Sequence, residues 1–132
     1  MSEQHARILL VDDYPDALEM WGLYLRLQGY DVITATNGPD ALTLARTAAP
    51  DLIVIDLELP GLSGIDVARA LHASPDTAGL KLIAATGCAD PSQLEEAGGA
   101  GFEAILIKPC EPDVLIRAIE LALGAAVSLK KS

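Results

Sequence analysis

Leu52-Ile53-Val54-Ile55-Asp56 is four apolar residues without alternation, stopped by a carboxylate. An alternating pattern would describe a strand with one wet face. A continuous, largely β-branched run describes a strand buried on both faces, which is the habit of parallel sheets. The same phrase occurs near the start, where Ile8-Leu9-Leu10-Val11 runs into Asp12-Asp13. Helical patterns separate such runs. Pro15 suits a first helical turn, and Leu18, Trp21, Gly22 and Leu25 recur at helical spacing until Gly29 stops them. Asp31 to Thr36 alternates and is β-branched, as expected of an edge strand. Pro39 opens a second helix with the stripe Ala41, Leu42, Ala45, Ala48, closed by Pro50.

The second half repeats this rhythm. Pro60-Gly61 and Gly64 form a loop, and Ile65, Ala68, Leu71 and His72 predict a helix ending near Pro75. Leu80 to Ala85 reads as a fourth strand, Gln93 to Ala97 as a short helix, and Ala104 to Ile107 as a fifth strand. Pro112 starts a last helix with Val114, Leu115, Ala118, Ile119 and Ala122 on its inner face. Five successive βα units require crossovers, which are right-handed and place helices on both faces of one parallel sheet. At 132 residues the expected architecture is α/β, a flavodoxin-like doubly wound five-stranded parallel sheet of order 2-1-3-4-5 with five helices.

Composition narrows the function. The chain is 51% hydrophobic, enough for a packed core, and long enough for one domain only. Nine basic residues against 19 acidic ones leave a net charge of −10, a field that repels phosphate backbones and anionic membranes. No direct nucleic-acid or membrane partner is therefore expected. No apolar run approaches the ~20 residues of a membrane helix, and Met1 to Arg7 lacks the form of a signal peptide, so a cytoplasmic location is expected. Two cysteines, Cys88 and Cys110, are too few for a disulfide framework or a zinc site.

In a sheet of this order, ligands bind beyond the carboxyl ends of the strands at the switch point between strands 1 and 3. The residues there are Asp12 and Asp13, Asp56, Thr86 and Lys108. Three gathered carboxylates repel one another unless a cation sits among them, and hard oxygen ligands suit Mg²⁺ rather than zinc. A lysine and a hydroxyl alongside provide a place for a phosphoryl group. Any one of these residues alone would read as a cap or a turn former. The joint pattern carries the weight.

These motifs, Val11-Asp12-Asp13, Asp56 within Ile55-Asp56-Leu57-Glu58-Leu59-Pro60-Gly61, Ala85-Thr86-Gly87 and Ile107-Lys108-Pro109, resemble those of response-regulator receiver domains. The resemblance spans about Arg7 to Leu123. It implies that Asp56 is the phosphoacceptor and that Asp13, Asp56 and the backbone carbonyl of Glu58 hold Mg²⁺, with Asp12 acting mainly through metal-bound water. It further implies that Lys108 pairs with phosphoryl oxygens, that Thr86 swings towards them while the small Gly87 leaves access, and that Lys108-Pro109 is cis. The implied partners are a sensor histidine kinase or histidine phosphotransfer protein and a downstream protein. The implied role is a signalling switch, not a conventional enzyme.

Some residues depart from that pattern. Ile105 occupies the switch position where the family carries Tyr or Phe, and Phe102 is out of register to replace it. A packing role for Ile105, with an altered switch surface, is preferred over an uncoupled one. Glu58 and Cys88 stand where the family tunes phosphoryl lifetime. Gly98, Gly99 and Gly101 weaken the fourth helix, each interior glycine costing about 1 kcal/mol, so a short, mobile helix with fast amide exchange is expected. Cys88 and Cys110 follow neighbouring strands; two separate reduced thiols are expected over a redox pair. His5 and His72 are expected to be exposed, and neither resembles a phosphotransfer histidine.

Rival readings fare worse. Flavodoxins need a hydroxyl- and glycine-rich loop after strand 1, where this chain has Asp12-Asp13-Tyr14-Pro15. An aspartyl-phosphate phosphatase of the haloacid-dehalogenase type needs a second Asp two residues after the nucleophile, where Glu58 stands. A pseudo-receiver, an interaction module that works without phosphorylation, is opposed by the complete set of site residues and favoured only by Ile105. The expected organisation is a receiver over 1–124 and a short tail over 125–132 without an output domain. Whether the domain stands alone or belongs to a longer regulator or hybrid kinase stays open.

Overall fold

The computed structural model describes residues 6–87 and 90–123. Five βα units follow one another: β1 (Arg7–Val11), α1 (Pro15–Leu27), β2 (Asp31–Ala35), α2 (Gly38–Thr47), β3 (Leu52–Ile55), α3 (Gly64–His72), β4 (Lys81–Thr86), α4 (Pro91–Gly98), β5 (Ala104–Ile107) and α5 (Pro112–Leu123). All strand pairs are parallel, in the order β2-β1-β3-β4-β5, as the sequence predicts.

The uninterrupted apolar runs are explained by two cores. Leu9, Val11, Ile53, Ile55, Leu82 and Ala84 face one way, against α2, α3 and α4. Ile8, Leu10, Leu52, Val54 and Ile83 face the other, against α1 and α5. Side chains alternate along a strand, so a central strand needs apolar residues at both parities. Each fully buried Leu or Ile contributes roughly 1.5–3 kcal/mol relative to exposure.

Caps set several helix bounds. The Asn37 side chain accepts from Asp40 N–H, and that of Ser63 accepts from Asp66 N–H, fixing the starts of α2 and α3. α4 begins two residues earlier than its apolar pattern predicts. Asp90 caps it by accepting from Ser92 N–H, and Pro91 takes the first helical position. Thr86 belongs to β4, not to the turn after it.

Two expectations need correction. Val114 is 45% exposed, although Leu115, Ala118 and Ile119 are buried as predicted. At ~100° per residue it sits near the rim of an inward arc centred close to Leu115 and Ala122. His72 is half-buried, not exposed: its Nδ1 lies 3.1 Å from the Ala100 carbonyl oxygen and its Nε2 3.5 Å from that of Leu80. A histidine in the last turn of α3 can reach both because the chain returns past it on either side of β4 and α4. His5, Cys88 and the expected tail lie outside the described residues, and with Cys88 so does the expectation of two separate thiols.

Candidate functional site

Strand register builds the site. Val11 pairs with Ile55, so the residues after them, Asp12 and Asp56, emerge side by side although 44 positions apart. Two backbone bonds carry the alignment past the last pair: Asp56 N–H donates to Val11 O at 3.0 Å, and Asp12 N–H to Ala35 O at 3.2 Å. On the other flank Thr86 pairs with Ile107, and Lys108 N–H donates to Thr86 O at 2.8 Å. The Lys108-Pro109 peptide is cis.

Lys108 joins the two carboxylates. Its Nζ lies 2.6 Å from Asp12 Oδ2 and 3.2 Å from Asp56 Oδ2. The remaining oxygens accept backbone N–H groups, Asp12 Oδ1 from Tyr14 at 3.0 Å and Asp56 Oδ1 from Glu58 at 2.9 Å. Both carboxylates are buried, whereas Asp13 and Glu58 are exposed.

Burial pushes the Asp56 carboxyl above its ordinary range. The Glu58 N–H and Lys108 pull it down without cancelling the rise, and the charge of Asp12 adds to it. Burial pulls Lys108 down, but its hydrogen bonds and charge contacts with Asp12 and Asp56 outweigh this and hold it above the usual lysine value. Burial likewise pushes the Cys110 thiol up, against a smaller pull from Lys108, which favours the unreactive protonated form.

Asp12, Asp13 and Asp56 each offer a carboxylate oxygen within 4.8 Å of the others, the one such cluster among the described residues. Each carboxylate oxygen retains lone pairs, and the donors are all hard, which suits a small divalent cation that keeps part of its water. The cluster forms one wall of a cavity of about 500 Å³, with Met20 and Trp21 on another. Trp21 is the chain's single tryptophan. Titration with Mg²⁺ is therefore expected to give a saturable change in its emission, lost in Asp13→Ala. Calorimetric binding without any optical change would place the cation elsewhere.

A family model for the response regulator receiver domain matches residues 8–120. The chain belongs to that family. Receivers are signalling domains, and this receiver is 35% identical over 123 residues to the DNA-binding response regulator MtrA of Mycolicibacterium smegmatis. That alignment covers 93% of this chain and 53% of the relative, so the receiver spans about half the length of the MtrA proteins it matches. It is 31% identical to Protein PilH of Pseudomonas aeruginosa, over 90% of this chain and 98% of PilH. Among solved structures, the chemotaxis response regulator CheY4 of Vibrio cholerae superposes with a TM-score of 0.84 at 28% identity, covering 91% of this chain and 100% of CheY4. A CheY-like receiver protein from Methanospirillum hungatei gives 0.86 at 27% identity, covering 98% of this chain and 100% of that one.

Two of the other expected receiver residues share one face of the sheet. Thr86 is fully buried and shares its parity with Leu82 and Ala84, facing α2–α4. Ile105, paired with Ala84, is packed on that same core together with Phe102. Gly87 is exposed just beyond β4, and Glu58 is exposed two residues after Asp56. Cys88 falls outside the described residues.

From sequence, Gly64 reads only as part of a loop. In the structure Gly64 N–H donates to Leu57 O at 3.0 Å and its Cα lies against the backbone of Asp56. No local signal reveals this approach, because it depends on where α3 lands on the end of β3. No helix among the described residues is long and apolar enough to cross a membrane.

Proposed function

We propose that this receiver accepts a phosphoryl group on Asp56 in a Mg²⁺-dependent reaction and relays the change to a protein partner. The observation that carries the reading is the placement of Asp56: buried, bonded to Lys108 at 3.2 Å, and within reach of two further carboxylates that could share a divalent cation. Asp12, Asp13, Asp56 and the carbonyl of Glu58 would hold Mg²⁺, which would neutralise charge on the incoming phosphoryl oxygens. An Asp56 carboxylate oxygen attacks phosphorus, the bond from phosphorus to the donor's leaving group breaks, and that group departs with the electron pair. Lys108 offers its ammonium to the transferred oxygens, and Thr86 its hydroxyl, with Gly87 leaving room. The added charge of roughly −1.5 to −2 biases the domain between two conformations.

A sensor histidine kinase or histidine phosphotransfer protein is the proposed donor, within the cytoplasm, and a protein the proposed reader. Support for protein docking comes from two exposed apolar residues on α1: Met20, 59% exposed and lining the cavity, and Leu23, 58% exposed three residues further along the helix. The net charge of −10 argues against direct nucleic-acid contact. Residues 1–124 would form the receiver and 125–132 a tail. The rival reading, an interaction module that works without phosphorylation, draws on Ile105 alone.

Intact-mass spectrometry after incubation with acetyl phosphate tests the reading. One phosphoryl adduct that requires Mg²⁺ supports it, and no adduct despite demonstrated Mg²⁺ binding favours the interaction module. Glu58 adds an exposed negative charge beside the cluster, so Glu58→Gln is expected to change the decay of that adduct several-fold. An unchanged decay rate would remove Glu58, though not Cys88, from control of phosphoryl lifetime.

A further inference from the structure

Gly64 is the first residue of α3, and no side chain separates it from the end of β3. A Cβ built there collides with the Asp56 carbonyl oxygen and lies 2.9 Å from Leu57 Cα and 3.1 Å from the Asp56 carbonyl carbon. These are backbone atoms, which cannot swing aside. A second helix behaves alike at the far end of the same loop. A Cβ on Gly38, the first residue of α2, would lie 2.7 Å from Leu62 O and 2.8 Å from Leu62 Cβ. Neither glycine has a positive φ, so both positions require glycine for room and not for backbone freedom.

Between these contacts runs the segment 57–63, which carries Glu58 and is anchored inward by buried Leu57 and Leu59. We infer that Gly64 is a positioning residue of the phosphoacceptor, with Gly38 supporting it. The starts of α3 and α2 press bare backbone on the two ends of the loop. They thereby fix where the Asp56 carboxylate and the Glu58 carbonyl stand relative to Asp12 and Asp13. The inference rests on the reading of Asp56 as phosphoacceptor. Relieving the Gly64 collision needs a displacement of about 1 Å, a misplacement that can cost about 10²-fold in a positioned reaction.

The test uses the full chain, with Mg²⁺ affinity followed by calorimetry and acetyl-phosphate labelling followed by intact mass. Gly64→Ala, checked as folded by circular dichroism, is expected to label about 10²-fold more slowly and to bind Mg²⁺ about 10-fold more weakly. Gly98→Ala is the matched control, because a Cβ there meets nothing within 4 Å, and both quantities should stay at wild-type values. A merely structural role would lower the melting temperature and leave the Mg²⁺ affinity of the folded molecules unchanged, which overturns the inference. If Gly64→Ala does not fold, Gly38→Ala decides, since part of its collision is with the Leu62 side chain. Weakened Mg²⁺ binding, partly recovered by adding Leu62→Gly, supports the inference, and unchanged binding overturns it. Should the wild type bind Mg²⁺ but never label, the functional reading fails, while the affinity comparison still judges the two glycines.

Discussion

Asp56→Asn is expected to reduce phosphoryl labelling to background while raising the melting temperature of the metal-free domain at neutral pH. An amide is no nucleophile towards phosphorus, so the reaction loses its acceptor and not merely its efficiency. The shape of the site is kept, because the amide oxygen can still accept the Glu58 N–H that Asp56 Oδ1 accepts at 2.9 Å. The stability gain follows from the direction of the Asp56 shift. Burial holds its carboxyl above the ordinary value despite the Glu58 N–H and Lys108, so the folded state binds that proton more tightly than the unfolded chain does. Ionised Asp56 therefore costs stability at pH values above its folded pKa, and that cost disappears below the unfolded value of ~3.9. Melting curves of both proteins in chelator, at pH 7 and pH 4, check this. Asn should be the more stable at pH 7, with the difference shrinking towards pH 4. A difference independent of pH would mean that the buried charge is not its source.

Lys108→Met should move two quantities in opposite directions. Lys108 is the cation bonded to both Asp12 and Asp56, at 2.6 and 3.2 Å. Without it the metal-free domain holds two buried carboxylates whose common partner is gone. Breaking a buried pair costs roughly 3–5 kcal/mol, and the low end applies because a quarter of the Lys108 side chain still meets water. A divalent cation entering the cluster no longer competes with an ammonium, so Mg²⁺ should bind more tightly and restore much of the lost stability. Labelling by acetyl phosphate should nevertheless fall about 10²–10³-fold, as when one preorganised group is removed from a developing oxyanion. Mg²⁺ calorimetry, thermal melts with and without Mg²⁺, and labelling rates decide it together. Weaker Mg²⁺ binding would show that Lys108 organises the carboxylates instead of competing for them.

The parts legible in sequence were those that strand patterning dictates. Ile8–Val11 and Leu52–Ile55 read as strands buried on both faces because parallel pairing leaves no wet face. Asp12, Asp56 and Lys108 were legible because they end such runs, and parallel strands bring their ends to one edge. What escaped depends on distances across the fold. His72 reads as a surface residue on its own helix, yet its carbonyl partners lie 28 and 8 positions away. Gly64 reads as a loop glycine, and its need for glycine comes from the Asp56 backbone eight positions earlier. Val114 failed for a milder reason: a helical stripe has a soft edge, and only its neighbours decide which rim residue is covered.

The parity of the strands has one more consequence. Asp12 and Asp56 continue the alternation of Leu10 and Val54, whose core lies with α1 and α5, while Thr86 and Ile105 belong to the opposite core with α2–α4. The sheet thus works as a partition with the reactive groups at its lip. On the proposed reading, substitutions beneath α1 and α5 would reach the carboxylates first, and those deep beneath α2–α4 would reach Thr86 and Ile105 first. The starts of α2 and α3 are the exception, because Gly38 and Gly64 press on the loop behind Asp56 and so bear on both sides of the wall.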